Sequence, residues 1–223
     1  MNSANRFRVA AIVVAVLMAV YATASSFSEL FSVSRPPLPV DPSKIAAQSI
    51  SQSAQWAAFV APFRTDLKAN YALALALTAL HPDAKALSGA DIQKNVEAQE
   101  EVKQVLKAAP HHSDLWLALA LLQTQRKSGD RQTIEALKMS YFTAPNDAQL
   151  MPLRLYTAAA SEALSDTDLQ ELALGDVRLM LLRQADLKAF VLTAYQAGSN
   201  VGKKFLEDAV QSIDPAFASA LRK

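Results

Sequence analysis

The sequence predicts an all-α protein in which antiparallel helix pairs form a short α-solenoid, preceded by an N-terminal apolar helix. Two basic residues, Arg6 and Arg8, stand before an uncharged run over residues 9–28. From residue 43 onward, apolar side chains recur at the helical period in an Ala/Leu-rich chain. Only five of the 223 residues are glycine, fewer than the tight turns of a β-rich protein usually need.

The N-terminal segment, residues 1–24, is predicted to be a signal anchor or a signal peptide. Its strongly apolar part, residues 9–22, is shorter than the about 20 residues that span a bilayer. Ala22 and Ala24 form a small-x-small pattern that a signal peptidase can cut, whereas apolar side chains up to Phe31 can complete one tilted span. Both alternatives keep the basic residues in the cytoplasm. The rest is then either membrane-anchored with a periplasmic C-terminal domain, or secreted to the periplasm after cleavage behind Ala24.

Residues 25–42 are predicted to be a Ser/Pro-rich linker that leads into a helical-repeat domain over residues 43–223. The linker contains Pro36, Pro37 and Pro39. Proline favours the polyproline II conformation, so this segment is expected to be a stiff spacer or a disordered connection. Either form would hold the domain off the membrane.

Within residues 43–223, the spacing of apolar residues predicts a series of helices separated by short interruptions. Alanine-rich composition favours helix strongly over residues 67–80, and Pro82 and Pro110 end two of the helices. The predicted helices cover about 45–60, 67–80, 91–109, 113–125, 133–144, 150–164, 169–182, 187–196 and 205–213. The candidate N-caps are Asp91, Asp166, Asp186 and Ser199.

One stretch carries internal evidence of a repeat. Small or apolar residues precede Pro110 by 12, 8 and 5 positions, and Trp116 follows it by six. Pro145 recurs 35 residues later, with Thr133, Leu137 and Ser140 at the same three offsets. The residues of the first unit are Ala98, Val102, Val105, Pro110, Trp116, Leu119 and Ala120.

This pattern resembles the tetratricopeptide repeat over residues 91–145. Trp116-x2-Leu119-Ala120 matches the W-x2-L-G opening of that family with alanine in place of glycine. The period is near the 34 residues of the family. The resemblance implies paired helices with small residues at their contacts, and a concave groove that holds a peptide or helix of a partner. The alternative is another bundle or repeat of antiparallel helix pairs. Trp116 and the pair Tyr141–Phe142 are expected to pack between helices.

Charge and cysteine content exclude several classes of function. The chain has 22 basic and 21 acidic residues, a net charge of +1, so no basic field attracts nucleic acid. It has no cysteine, so disulfides, thiol chemistry and cysteine-ligated zinc are ruled out.

Motifs for catalysis or cofactor binding are lacking, so we expect no enzyme, no cofactor and no metal. The chain has no G-x-S-x-G elbow and no glycine-rich phosphate loop. His111 and His112, with Asp114 nearby, are predicted to form a solvated turn rather than a metal site. Gly198 and Gly202 are expected to break two helices, although their spacing also suits close helix packing.

The function predicted from these features is an exported, membrane-tethered helical-repeat scaffold that binds a protein partner in the cell envelope. The alternatives are an accessory factor in envelope polysaccharide synthesis or export and, with less support, a glycan-active enzyme. The repeat register places part of one helix on the groove side because its spacing follows the 3.6-residue turn. The predicted partner-binding residues are Asp114, Leu117, Leu121, Gln125 and, on a later helix, Arg154.

Overall fold

The computed structural model describes residues 3–30, 35–41, 59, 64–81, 87–126, 130–183 and 185–221. Helices account for most of these residues, and no β-strand occurs among them. The helices are α1 Ser3–Leu30, α2 Thr65–Ala79, α3 Gly89–Ala108, α4 Ser113–Arg126, α5 Arg131–Thr143, α6 Met151–Ala160, α7 Thr167–Leu182, α8 Lys188–Ala197, α9 Asn200–Ile213 and α10 Pro215–Leu221. Two 3₁₀ turns, Glu162–Ser165 and Ala185–Leu187, lie before α7 and α8.

Helices α2 to α9 form antiparallel pairs in a solenoid-like arrangement, which confirms the predicted fold class. Helix α2 packs on α3, and α4 packs on α5. The first helices of the pairs, α2, α4, α6 and α8, contact one another in order, and among the second helices α5 contacts α7 and α7 contacts α9. The core therefore lies between two layers of helices, as in a stack of hairpins.

The helix boundaries follow from local chemistry, with two corrections to the predicted caps. Asp166 and Ser199 cap α7 and α9, since their side-chain oxygens accept from the amides of Leu169 and Gly202. Asp91 is not the N-cap of α3; Ser88 is, and Asp91 is its capping-box partner three residues on. Asp186 is not a cap either.

Asp186 lies inside the second 3₁₀ turn, and Leu187 precedes α8 without a side-chain cap. The 3₁₀ turn shifts the start of α8 past the aspartate, which is why the sequence-based assignment missed it. The predicted helix over residues 45–60 falls outside the described residues, apart from Phe59.

The positions of the proposed repeat are buried in both units. Ala98, Val102 and Val105 are at most 4% exposed. Thr133, Leu137 and Ser140, at the same offsets from the second proline, are fully buried. The sequence period therefore coincides with the packing period, while the assignment to the tetratricopeptide family stays a prediction.

Helix α1 is the exception to this packing. A stretch of 23 residues, Asn5–Phe27, has a mean hydropathy of 2.1, and none of it is buried against the rest of the protein. Its helix continues past Ala24 to Leu30 and so includes the start of the predicted linker. By length and composition, α1 is able to cross a bilayer.

Candidate functional site

The segment behind α1 binds the helical domain at the start of α4. The Arg35 guanidinium donates from Nε and Nη2 to the two carboxylate oxygens of Asp114, each at 2.6 Å. Leu38 is 8% exposed and belongs to the core. Residues 35–38 line a recess of about 380 Å³ with the α3–α4 loop and the α5–α6 loop. A fork-shaped ion pair and an apolar side chain therefore hold residues 35–38 of the predicted linker against the domain.

His111 and His112 lie beside this ion pair. Their ring centroids are 4.3 Å apart with the planes tilted by 38°, and His112 Nδ1 is 3.2 Å from Arg35 Nη1. Partial burial, followed by the neighbouring positive charge of Arg35, lowers the pKa of His112. Within the part of the chain that the structure describes, no three His, Asp or Glu side chains come together as a metal site.

The predicted partner-binding residues do not share one open face. Asp114 is engaged by Arg35. Leu117 is fully buried and Leu121 is 7% exposed, so both are core residues in this structure. Gln125 binds the backbone of His81 through both ends of its amide, at 2.7 and 3.2 Å. Helix α4 contacts α2, α3, α5 and α6, which covers the side that the repeat register assigned to a groove.

Arg154 is also buried rather than displayed. Its Nη2 donates to the Ser140 carbonyl at 2.6 Å, its Nη1 to the Ala144 carbonyl at 2.9 Å, and its Nε to Ser140 Oγ at 3.0 Å. Ser140 lies in the last turn of α5 and Ala144 directly follows this helix, so the guanidinium supplies donors at a helix end, where carbonyls have fewer partners within the helix. The guanidinium also lies 4.9 Å from the centre of the Tyr141 ring. Arg154 therefore joins α6 to the C-terminal end of α5.

A buried acid completes this cluster. Asp176 on α7 is 2% exposed, and burial raises its pKa to about 7, although the charge of Arg154 opposes the rise. Burial, reinforced by Asp176, raises the pKa of Tyr141 far above its usual value. Oδ2 of Asp176 and the Tyr141 hydroxyl have no hydrogen-bond partner among the described residues. The two side chains are nevertheless close enough for each to affect the pKa of the other. The cluster lies in the core and brings together side chains of α5, α6 and α7.

Trp116 packs against the core but keeps one edge exposed. Its indole Nε1 donates to the Pro110 carbonyl at 2.7 Å, across the six-residue spacing seen in the sequence. The ring lies at the edge of a shallow depression between α4 and α5. Trp116 thus joins the turn to the helix that follows it, as a packing residue at the domain surface. Tyr141 is buried, whereas Phe142 is 64% exposed, so the pair Tyr141–Phe142 does not act as one unit.

A further recess is a groove between α7 and α9, which the sequence analysis missed. Its volume is about 630 Å³. Half-buried Leu174, Val201 and Phe205 form its apolar surface, and exposed Lys204 and Asp208 stand along α9. The signal was present in the sequence, since positions 201, 205, 208 and 212 of α9 follow the helical period on one face.

Comparison with known proteins does not assign a family. No protein-family model, no curated protein and no solved structure matches this chain.

Proposed function

We propose that this protein is an exported, membrane-tethered helical-repeat scaffold that binds a protein partner in the cell envelope. The observation that carries the proposal is the apolar 23-residue stretch of α1, Asn5–Phe27, in which no residue is buried. An isolated apolar helix in water exposes a large area at a cost that insertion into lipid removes. Arg6 and Arg8 at its start support a cytoplasmic N-terminus and an external helical domain.

The uncleaved anchor is the form that we propose. The small-x-small site, Ala22 to Ala24, lies inside the unbroken helix α1. Proteases cut backbone that is exposed and locally unfolded, so cleavage there requires the helix to unwind. The alternative of a cleaved signal leaves a soluble domain and is distinguished by the length of the mature chain.

The partner-binding surface that we propose is the groove between α7 and α9. From Val201 to Ser212, α9 borders the groove over three turns, about 17 Å. An apolar floor with one cation and one anion at its margin suits an amphipathic helix of a protein partner, whose apolar side chains would pack on Phe205. Lys204 and Asp208 would then fix the direction of that helix through opposite charges.

Two experiments test the proposal. A fusion of residues 1–45 to a reporter that is active only outside the cytoplasm should be active, and the full chain should stay in carbonate-washed membranes. Crosslinking in intact membranes should capture a protein partner with the wild-type chain and lose it with Phe205→Glu. Gln211→Glu, an exposed change on the same helix, is the matched control and should retain the partner. Equal capture by both variants would remove the groove from the proposal.

A further inference from the structure

Large apolar side chains are strongly exposed at two helix ends outside α1. Phe142 is 64% exposed in the last turn of α5, and Leu182 is 62% exposed at the end of α7. Two other large apolar side chains beyond α1 are exposed among the described residues: Ile92 in the first turn of α3, and Phe59. Single exposed apolar side chains are common on protein surfaces, so the position of these two relative to α1 decides what they can contact.

The two helix ends lie at the edge of the domain to which the anchor is attached. In an antiparallel stack, the second helices end where the first helices begin. We call this border, defined by the loops 109–112 and 144–150, by residue 183 and by the 3₁₀ turn Ala185–Leu187, the tether edge. Arg35 binds Asp114 at this edge, and residues 35–38 share their recess with the loop that follows Phe142 by two residues.

The length of the connection decides which edge lies nearest to the bilayer. From Leu30 to Arg35 the chain advances five residues, which span at most roughly 18 Å. Helix α3, with 20 residues, is about 30 Å long. The ion pair of Arg35 with Asp114 therefore holds the tether edge close to the end of α1. Ile92, in the first turn of α3, lies about one helix length from the tether edge.

We propose that the tether edge docks on the surface of the bilayer that α1 spans, with Phe142 and Leu182 inserted at the lipid–water interface. Phenylalanine and leucine side chains are favourable on the apolar side of this interface. The proposal rests on the proposed function, since it requires α1 to remain in the membrane.

Charged side chains at the tether edge are compatible with this contact but are not its main cause. Lys107 and Arg183 are exposed at the ends of α3 and α7 and can meet lipid phosphates. Asp186 is exposed on the adjacent 3₁₀ turn, so the edge is not uniformly basic. Burial of the two apolar side chains, rather than attraction to an anionic surface, is then the main contribution, and docking should depend only weakly on salt.

The absence of native cysteine permits a direct test with the full chain. Single cysteines at positions 142, 182 and 92 are labelled with an environment-sensitive fluorophore, and each protein is reconstituted into phosphatidylcholine vesicles with and without a nitroxide-labelled lipid. We expect blue-shifted emission and several-fold stronger quenching at positions 142 and 182 than at position 92. Position 92 is the matched control, because it replaces an exposed apolar residue at the opposite edge.

The outcomes separate this inference from the proposed function. If the protein does not float with the vesicles, α1 is not an anchor and the proposed function fails with the inference. If it floats and the three labels are quenched equally weakly, only the docking is wrong. Blue-shifted emission at positions 142 and 182 without quenching by the labelled lipid would indicate contact with another protein surface and would also overturn the docking.

Discussion

Gly202 on α9 packs directly on the backbone of Ala159 at the end of α6. A Cβ atom at position 202 would lie 2.8 Å from both the Cα and the carbonyl carbon of Ala159, and closer still to its oxygen. The amide of Ser199 donates to the same carbonyl at 2.8 Å. The two helices therefore approach with backbone against backbone, which only glycine permits here.

Substitution of this glycine should destabilise the domain. Gly202→Ala introduces an overlap with main-chain atoms that cannot rotate away, and the expected loss is about 1–3 kcal/mol or more. Gly175→Ala on α7 is the matched control, since its Cβ would meet nothing within 4 Å, and it should stabilise the helix by roughly 0.5–1 kcal/mol. Urea unfolding of the full chain in detergent, followed by circular dichroism, measures both. Equal effects of the two variants would contradict the close approach.

Asp176 should make the stability of the domain depend on pH. Its pKa is about 7 in the folded state and near 3.8 when unfolded, so the folded state holds a proton that the unfolded state has lost. The free energy of unfolding should therefore fall as pH rises from about 4 through about 7, by at most on the order of 4 kcal/mol.

The isosteric variant Asp176→Asn isolates this effect. It cannot ionise, so its stability relative to the wild type should increase between pH 5 and pH 8. Asp186→Asn, which removes an exposed carboxyl by the same change, is the matched comparison. Parallel profiles for the wild type and Asp176→Asn would show that the acid is not buried as the structure has it.

Replacing Leu117 and Leu121 together by serine should unfold the helical domain. Each buried leucine truncated to a small residue costs about 2–5 kcal/mol, and each serine adds a hydroxyl without an assured partner. The sum is comparable with the whole stability of a typical domain, about 5–15 kcal/mol. Circular dichroism at ordinary temperature reports the loss. Leu182→Ser, at an exposed position, should change stability by no more than about 0.5 kcal/mol. If the double variant stays folded and loses its partner, Leu117 and Leu121 line a partner-binding groove after all.

The pairing of Arg35 with Asp114 should be measurable as a coupling energy. A double-mutant cycle with Arg35→Gln and Asp114→Asn is expected to give about 1 kcal/mol, because the pair is bidentate but its side chains are still 31% and 21% exposed. Lys103 with Glu100, a more exposed pair on α3, is the comparison and should give less.

Acidification should weaken the same ion pair. His112 has a lowered pKa, so the stability linked to its neutral form is present above about 6.5 and is lost as pH falls below that value. Protonated His112 would also repel Arg35. Limited proteolysis near residues 35–41 should therefore be faster at pH 5 than at pH 7 in the wild type, and His112→Gln should reduce that difference.

The sequence predicted the helices and their pairing because local signals agree with the packing. Helices α3, α7 and α9 carry the expected apolar periods, and proline or a capping side chain marks their ends. The positions that repeat before Pro110 and Pro145 are buried in both units. Periodicity and burial share one cause, the side of a helix that faces its neighbours.

The candidate site could not be predicted in the same way, since it depends on which faces are covered. An Ala/Leu-rich helix such as α4 has no polar face, so its period does not distinguish a groove from a core. Arginine is a residue type that usually lies at the surface. The burial of Arg154 is explained only by the carbonyls at the end of α5 to which it donates. The contact of Arg35 with Asp114 spans 79 positions and carries no local signal.

Arg154 also has a consequence for how the domain melts. In a stack of helix pairs, unfolding can proceed unit by unit, because each unit touches only its neighbours. The guanidinium of Arg154 on α6 donates to three acceptors of Ser140 and Ala144 at the end of α5, so melting either unit alone breaks all three hydrogen bonds at once. A boundary between ordered and disordered chain is therefore disfavoured at this junction. Heat should therefore melt the helices from α4 to α7 as a single cooperative block.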